Sequence, residues 1–333
     1  MSLPPKAQVA NVKWHHDPSG GEGIPTCHLH SYTKAALTAL QTQEGSVDPV
    51  WVAGASGAAF RIWIHKDICP SATSVFNWSI LPAGIVNAGW NCRYHSRLWH
   101  EEFVAEERRL AALEAIKAAI NEGKTPICWD VDIPEWGVIT GYDDAAGELS
   151  AVSVISPETK LKYEQLGKRN IPIMSVTIID GRNGKERQDS ILNSLHTAVK
   201  HAEQGEWNDR PAYQDGLPAY EQWENALLRL AETGEKQNML YYLCATYTAA
   251  RHYAGRYLEL IAGEMDAAGK GEELAAAAGY YRQVEEALKE ACAIFTGKNG
   301  QHEAAELKAA ARLVKEAGGA EAKAIGHIKN FLK

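Results

Sequence analysis

Three acidic residues close together in the chain are the first side chains that could do chemistry. Asp130 and Asp132 alternate at the end of a predicted strand, and Glu135 follows three residues later. Side chains two positions apart on a strand share one face, so these carboxylates could converge beside the indole rings of Trp129 and Trp136. Carboxylates near aromatic rings are what a sugar site requires. Solvated loop acids explain the same spacing, because charged residues mostly lie at the surface.

Ser31 introduces a second kind of chemistry, nucleophilic attack. A serine hydroxyl needs a stronger base than a thiol does, and a glutamate, with a reference pKa of about 4.3, is a poor base unless apolar surroundings raise that value. Trp129 and Trp136 could supply such surroundings for Glu135, as an indole does beside a catalytic carboxyl. The alternative for Glu135 is an exposed carboxylate in a turn.

Histidines and a cysteine gather before the first predicted helix and could ligate a metal. Cys27 and His30 have the spacing Cys-x-x-His, which suits zinc. A second pair at matching spacing is missing, and isolated motifs match by chance often. We therefore expect no metal and no cofactor. The other members of this group are His15, His16, Asp17 and His28.

The elements that would position these residues follow an α+β order. A helix is predicted from Ser31 to Thr42, with Ser31 as its N-cap. A second helix is predicted from about Glu101 to Asn121, with one apolar stripe that begins at Phe103. Strands are predicted at Pro126–Val131, Trp136–Tyr142, Glu148–Ile155 and Ile171–Ile179. Helices followed by an antiparallel sheet are typical of the α+β class.

The chain changes character after the charged run from Arg182 to Gln188. Eight of the ten tryptophans and seven of the twelve histidines lie within the first 136 residues, and the remainder is rich in Ala, Glu and Lys. We predict an α+β domain at 10–182 and an all-helical domain at 189–333. The predicted helices of the second domain are Pro218–Ala231, Met239–Met265, Glu272–Phe295, Glu303–Lys315 and a short last helix ending near Leu332.

Composition limits the partners. The net charge of −8 is spread along the 333 residues, and no block of basic residues suits nucleic acid or an anionic membrane. No segment approaches the roughly 20 apolar residues that span a bilayer. The six cysteines have no short paired spacing, which favours reduced thiols in a cytoplasmic protein. The sequence leaves the oligomeric state open.

Several motifs in a fixed order carry a resemblance to a known family. His30-Ser31-Tyr32-Thr33 opens a helix, Gly54-Ala55-Ser56-Gly57 precedes aromatic residues, and a predicted hairpin ends in Gly141-Tyr142-Asp143-Asp144. In this order the chain resembles the N-terminal domain of butirosin-type acyltransferases, which are similar to papain-like cysteine peptidases. The segment 216–227 also resembles a helical region found in relatives of that domain. The resemblance implies a papain-like α+β domain with an antiparallel sheet and an N-terminal helix.

The same resemblance implies a cysteine nucleophile at a helix start, a histidine at the start of a hairpin strand and an acid on the next strand. A helix N-terminus lowers a thiol pKa, an imidazole accepts its proton, and a carboxylate orients the ring. This chain departs at all three places. The cysteine position falls on Ser31, the histidine on Glu135 or Trp136, and the acid near Ser153. Cys27 lies four residues upstream of Ser31.

Three functional hypotheses remain. In the first, the domain is a catalytically degenerate or repurposed relative that binds a small molecule in a cleft between the Ser31 helix and the Glu135 hairpin. We expect that cleft to be lined by Trp51, Trp129, Asp130, Trp136 and Tyr142. In the second, an acyltransferase or an amide or ester hydrolase uses Cys27 or Ser31 with His28, His30 or Glu135. In the third, the protein has a structural, partner-docking role.

Overall fold

The computed structural model describes residues 3–15, 29–206, 211–265 and 271–333. These residues form two compact units. Within the described ranges, the first unit comprises 3–15, 31–48 and 79–184, and the second comprises 29–30, 49–78 and the chain from 185 onward. The chain passes from the first unit to the second beside the predicted linker. Residues 49–78, which we predicted in the first domain, belong to the second unit.

The strands are β1 (Lys6–Gln8), β2 (Trp63–His65), β3 (Trp90–Arg97), β4 (Ile127–Trp129), β5 (Trp136–Asp143), β6 (Glu148–Val152), β7 (Thr159–Lys162), β8 (Met174–Arg182) and β9 (Tyr213–Asp215). The helices are α1 (Ser31–Glu44), α2 (Pro49–Ala55), α3 (Ile80–Asn87), α4 (Ala105–Asn121), α5 (Arg187–Gln204), α6 (Pro218–Thr233), α7 (Leu240–Met265), α8 (Gly271–Phe295) and α9 (Ala304–Phe331).

The first unit is built on a seven-stranded sheet in the order β3-β8-β4-β5-β6-β7, with β1 also paired to β5. Every one of these pairings is antiparallel. The apolar face of α4 packs against the sheet, where Ile116 and Ile120 join Ile139, Val176 and Ile178 in one core. The predicted α+β class is confirmed, and so is the antiparallel sheet.

Helix α1 packs against β5 and β4, as predicted. Its residues 31–40 are all buried, so the helix is surrounded by protein rather than lying at the surface. The ring of Tyr32 meets the edge of Trp136 at a centroid distance of 5.8 Å. The Tyr32 hydroxyl donates to Thr177 Oγ1 on β8, 3.2 Å away. These contacts anchor the start of α1 on the middle of the sheet.

Several boundaries differ from the predictions. The helix predicted from Glu101 starts as a 3-10 turn, and Phe103, which we placed on its apolar stripe, is 88% exposed. The predicted run Ile171–Ile179 is displaced, because β8 continues to Arg182 in register with Trp90 on β3. Strand β3 escaped prediction because its sequence, WNCRYHSR, is mostly polar and lacks a clean alternation.

The second unit is mainly helical, and β2 pairs with β9 in a small antiparallel sheet that corrects the all-helical prediction. Its core contains a buried ion pair. Arg251 on α7 donates through two nitrogens to the two carboxylate oxygens of Glu321 on α9, both at 2.9 Å. Arg251 also donates to the Arg61 carbonyl at 2.7 Å, which ties residues 58–61 to α7. This contact is one reason why residues 49–78 belong here.

Helix α9 is continuous, whereas two helices were predicted in its place. The first predicted helix ended at Lys315, shortly before Gly318 and Gly319, and glycine disfavours helix interiors. Tertiary packing overrides that tendency. A Cβ on Gly318 would lie 2.8 Å from Tyr220 Cβ and 2.9 Å from its Cγ, so glycine allows α6 to approach α9 closely. A Cβ on Gly319 would meet nothing within 4 Å.

We predict that these adjacent glycines respond oppositely to alanine. Gly318→Ala should lower the free energy of unfolding by about 1–2 kcal/mol, because the new methyl group collides with the rigid base of the Tyr220 side chain. Gly319→Ala should raise it by about 0.5 kcal/mol through helix propensity alone. Urea unfolding followed by circular dichroism measures both. Equal effects from the two substitutions would contradict the close-packing role of Gly318.

Candidate functional site

The side chains of Ser31 and Glu135 meet at the start of α1. Ser31 Oγ donates a hydrogen bond to Glu135 Oε2. Ser31 Oγ also accepts a hydrogen bond from the backbone N–H of Trp136, 3.2 Å away. The sequence left open whether Cys27 or Ser31 faces Glu135. Ser31 does, and Cys27 lies outside the described residues.

The turn that joins β4 to β5 holds Glu135 in place. Asp130 has a φ of 56°, in the left-handed region that asparagine and aspartate enter more readily than other side chains. Its backbone N–H donates to the Glu135 carbonyl at 2.9 Å, which closes the turn. Arg169 braces it from outside, donating to the Asp132 carbonyl at 2.7 Å and to the Asp130 carbonyl at 3.4 Å.

Arg169 was not anticipated from the sequence. It lies 37 residues beyond Asp132, in the segment between β7 and β8, and no local pattern relates the two positions. Only the sheet order brings that segment back to the β4–β5 turn. The spacing of residues in one sequence therefore could not predict that Arg169 contacts the β4–β5 turn.

The Asp130 carboxyl is buried and incompletely paired. Its Oδ1 lies 3.6 Å from Arg169 Nε, and its Oδ2 has no hydrogen-bond partner. Burial raises the pKa of Asp130, the Arg169 guanidinium opposes that rise, and the neighbouring Asp132 carboxylate adds to it. A buried oxygen without a hydrogen-bond partner costs stability, so the Asp130 carboxyl destabilises the fold.

The three carboxylates have three separate partners. Glu135 accepts from Ser31, Asp130 faces Arg169, and Asp132 Oδ2 accepts from Ser153 Oγ at 3.0 Å. Among the residues that the structure describes, no group of three or more His, Cys, Asp or Glu side chains is placed to hold a metal ion. Ser153 thus occupies the place near which the resemblance puts an acid, and it is bonded to one.

The aromatic residues of the first unit that were predicted to line the cleft lie in the core. The rings of Trp129 and Trp136 contact each other edge to face at 4.5 Å, and both side chains are buried. The Tyr142 hydroxyl, also buried, accepts from Asn121 at 2.7 Å and donates to the Pro4 carbonyl at 2.8 Å. Their packing accounts for the burial, and their ligand-binding role stays a prediction.

Trp51 belongs to the second unit and is described there. Its ring packs against Tyr257 at 5.9 Å, with the Arg187 guanidinium 3.6 Å above it. Gly54, one turn further along α2, also faces Tyr257, and a Cβ there would lie 2.0 Å from the tyrosine Cγ. The glycine of the Gly-Ala-Ser-Gly motif therefore serves close helix packing in this structure.

The histidines singled out in the sequence have varied surroundings. His30 belongs to the second unit, where its Nε2 donates to the Thr73 carbonyl at 2.7 Å. His15 lies in the first unit with its backbone N–H bonded to Thr38 Oγ1 at 2.9 Å. His16, Asp17, Cys27 and His28 lie outside the described residues.

Comparison of the chain with protein-family models and with curated proteins found no match to either. The helices within the described ranges were also compared with the needs of a membrane span. None of them combines the length and the apolar character that crossing a bilayer demands.

We predict a pH-dependent effect of Asp130→Asn. Because the folded-state pKa of Asp130 is raised, its contribution to stability is fully present below the unfolded-state pKa of about 3.9 and is lost as the pH rises through the folded-state value. Asp130→Asn should therefore raise the free energy of unfolding more at pH 7 than at pH 4. Urea unfolding at both pH values measures this difference.

Asp180→Asn is the matched control with the opposite sign. The Arg93 guanidinium donates to Asp180 at 2.6 and 2.8 Å and lowers the pKa of Asp180 to about 2. The stability from that carboxylate is present above pH 4 and lost as the pH falls toward 2. Asp180→Asn should accordingly cost more stability at pH 7 than at pH 3. If the stability changes of the two variants depended on pH in the same direction, the opposite pKa shifts of Asp130 and Asp180 would be refuted.

Proposed function

We propose that the first unit is a catalytically degenerate papain-like domain that binds a small molecule and does not transform it. One observation carries the proposal. The positions where the resembled family has a thiol and an imidazole hold Ser31 and Glu135, and these two side chains hydrogen-bond to each other. Under this proposal the pair stands at the positions of a catalytic dyad, but a hydroxyl and a carboxylate replace the thiol and the imidazole.

The chemistry of the pair favours a positioning role. A hydroxyl is a weaker acid than a thiol, and a carboxylate is a weaker base than an imidazole, so proton transfer from Ser31 to Glu135 is doubly disfavoured. The Ser31 oxygen also accepts from the Trp136 N–H, which engages one of its two lone pairs. The pair instead joins the start of α1 to the start of β5, and the acid lies where the helix dipole favours negative charge.

Asp130 favours binding over a purely structural role. A carboxyl that is buried, raised in pKa and left with one unpartnered oxygen weakens the fold. Groups that break the rules of stable packing concentrate at functional sites. Asp130 lies on the same turn as Glu135, beside the partly exposed Arg169. Together they form a polar cluster at one end of the hairpin that could recognise both charged and hydrogen-bonding groups of a ligand.

The Ser31–Glu135 contact also supports a second candidate function, acyl transfer or hydrolysis through Ser31. The hydrogen bond runs from hydroxyl to carboxylate, which is the direction that nucleophile activation requires. Ser31 is the first residue of a 14-residue helix, where the backbone N–H groups are available to an oxyanion. This alternative makes opposite predictions about covalent labelling.

We predict that active-site-directed electrophiles leave the chain unmodified. A fluorophosphonate probe tests Ser31, and iodoacetamide at mildly acidic pH tests Cys27, since an ordinary thiol with a pKa of about 8.5 is almost fully protonated there. Intact-mass measurement should show no more labelling of the native chain than of Ser31→Ala. Stoichiometric phosphonylation of Ser31 that Glu135→Gln abolishes would establish the enzyme instead. Rapid alkylation of Cys27 that depends on Glu135 or His30 would do the same.

We predict that the pair is coupled in stability. A hydrogen bond to a charged acceptor is worth about 1.5–3 kcal/mol, so Ser31→Ala and Glu135→Gln should each destabilise the fold and their double variant should show a coupling energy of about 1 kcal/mol or more. Asp132→Asn, on the same turn but bonded to Ser153, is the control and should add independently to Ser31→Ala. Additivity of Ser31 with Glu135 would contradict the anchoring role.

The binding half of the proposal has its own test. Small amines, carboxylic acids and amino sugars, screened by thermal shift, sample the ligand chemistry that an acidic and a basic group recognise. A true ligand raises the melting temperature of the native chain, and Asp130→Asn or Arg169→Gln should remove that shift. A shift that survives both substitutions places binding elsewhere.

The cysteines, which lack paired spacing, favour a reducing compartment such as the cytoplasm for this function.

A further inference from the structure

Two cysteine thiols face each other between α7 and α8, apart from the site described above. Cys244 lies 21 residues before the end of α7, and Cys292 lies 21 residues after the start of α8. The two helices run antiparallel, since His252 reaches Glu285 at 3.1 Å and Cys244 Sγ reaches the Leu288 carbonyl at 3.2 Å. Equal spacing on antiparallel neighbours places the two cysteines opposite each other.

The side chains confirm what the register indicates. The two thiols are neighbours across the α7–α8 interface, and both are free. Cys244 is fully buried, while Cys292 is 6% exposed. Leu288, whose carbonyl accepts from Cys244, lies one helical turn before Cys292 on the same helix. Cys244 Sγ therefore lies against the helical turn that carries Cys292, where a disulfide could join α7 to α8.

We propose that Cys244 and Cys292 form a redox-sensitive pair that a hydroperoxide converts to a disulfide linking α7 to α8. This inference is independent of the function proposed for the first unit. It assigns a modification site to a helical unit whose core also contains the ion pair of Arg251 and Glu321.

The surroundings give the two sulfurs different roles. Burial raises the pKa of the Cys244 thiol well above its usual value, whereas the neighbouring Cys244 side chain lowers the pKa of Cys292. The more acidic and more accessible thiol is therefore Cys292. Because the thiolate is the nucleophile, Cys292 is the attacking residue and Cys244 the resolving one.

The reaction balances with a hydroperoxide as the only co-reactant. The Cys292 thiolate attacks one oxygen of hydrogen peroxide, the O–O bond breaks, and the products are a sulfenic acid on Cys292 and hydroxide. The hydroxide takes up the proton that Cys292 released. The Cys244 sulfur then displaces the sulfenic hydroxyl group, its own proton leaves with that group as water, and the S–S bond forms. Two thiols are oxidised, and one peroxide is reduced to two waters.

The test oxidises the reduced, full-length native protein with hydrogen peroxide, alkylates the remaining thiols and maps the digest by mass spectrometry. The expected product is a peptide pair joined by Cys244 and Cys292, accompanied by a rise in melting temperature of about 5 °C, because the cross-link closes a long loop. Dithiothreitol should reverse both changes. If both cysteines remain alkylatable, or pair with other cysteines as often as with each other, the proposal is wrong.

Variants separate the two roles. Cys244→Ser should stop the reaction at the sulfenic acid, so that dimedone labels Cys292, and Cys292→Ser should prevent both the cross-link and dimedone labelling of Cys244. Cys128→Ser is the control, since burial raises the pKa of Cys128 to about 12 in the other unit and its loss should leave the cross-link unchanged. Dimedone labelling of Cys244 in place of Cys292 would overturn the assignment. Peptide mapping of the native chain decides the proposal even if a variant misfolds.

Discussion

The burial of α1 is the constraint on which the first unit depends. Ten consecutive residues, 31–40, are buried, so the helix has no solvent-facing side on which to place its polar groups. Each of these groups needs a partner inside the protein, because an unpaired polar atom in the interior costs stability. Thr38 illustrates this need. Its hydroxyl donates to the Lys34 carbonyl at 2.8 Å and accepts from the His15 backbone at 2.9 Å.

The hydroxyls at the start of α1 connect the helix to the sheet. Tyr32 bonds to Thr177 on β8, and Ser31 bonds to Glu135 where β5 begins. These two contacts lie on neighbouring residues, so they fix both the position of the helix and its rotation about its own axis.

The second unit depends on a different kind of contact. Arg251 and Glu321 are both almost fully buried, and Tyr220 and Tyr281 also donate to the Glu321 carboxylate. A buried ion pair is weak evidence for stability, since desolvation offsets most of its attraction. It also restricts how α9 lies relative to α7, because sliding either helix would leave a buried charge without its partner. The alanine-rich sequence around them provides little other information about register.

The sequence by itself determined the α+β class, the helices α1, α6, α7 and α8 to within about two residues, and the meeting of the Ser31 helix with the Glu135 hairpin. The class and the helix bounds depend on local periodicity, capping and turn residues, whereas the meeting of helix and hairpin was predicted from the order of motifs in the resemblance. Tertiary structure alone decided that residues 49–78 join the second unit, that α9 continues through Gly318, and that Arg169 braces the turn at Asp130. The physical reason is the same in each case. Each feature depends on an interaction that forms only in the folded chain. The Arg61 carbonyl accepts from Arg251, Gly318 lies close to Tyr220, and Arg169 reaches a turn 37 residues away. No local sequence pattern indicates these interactions.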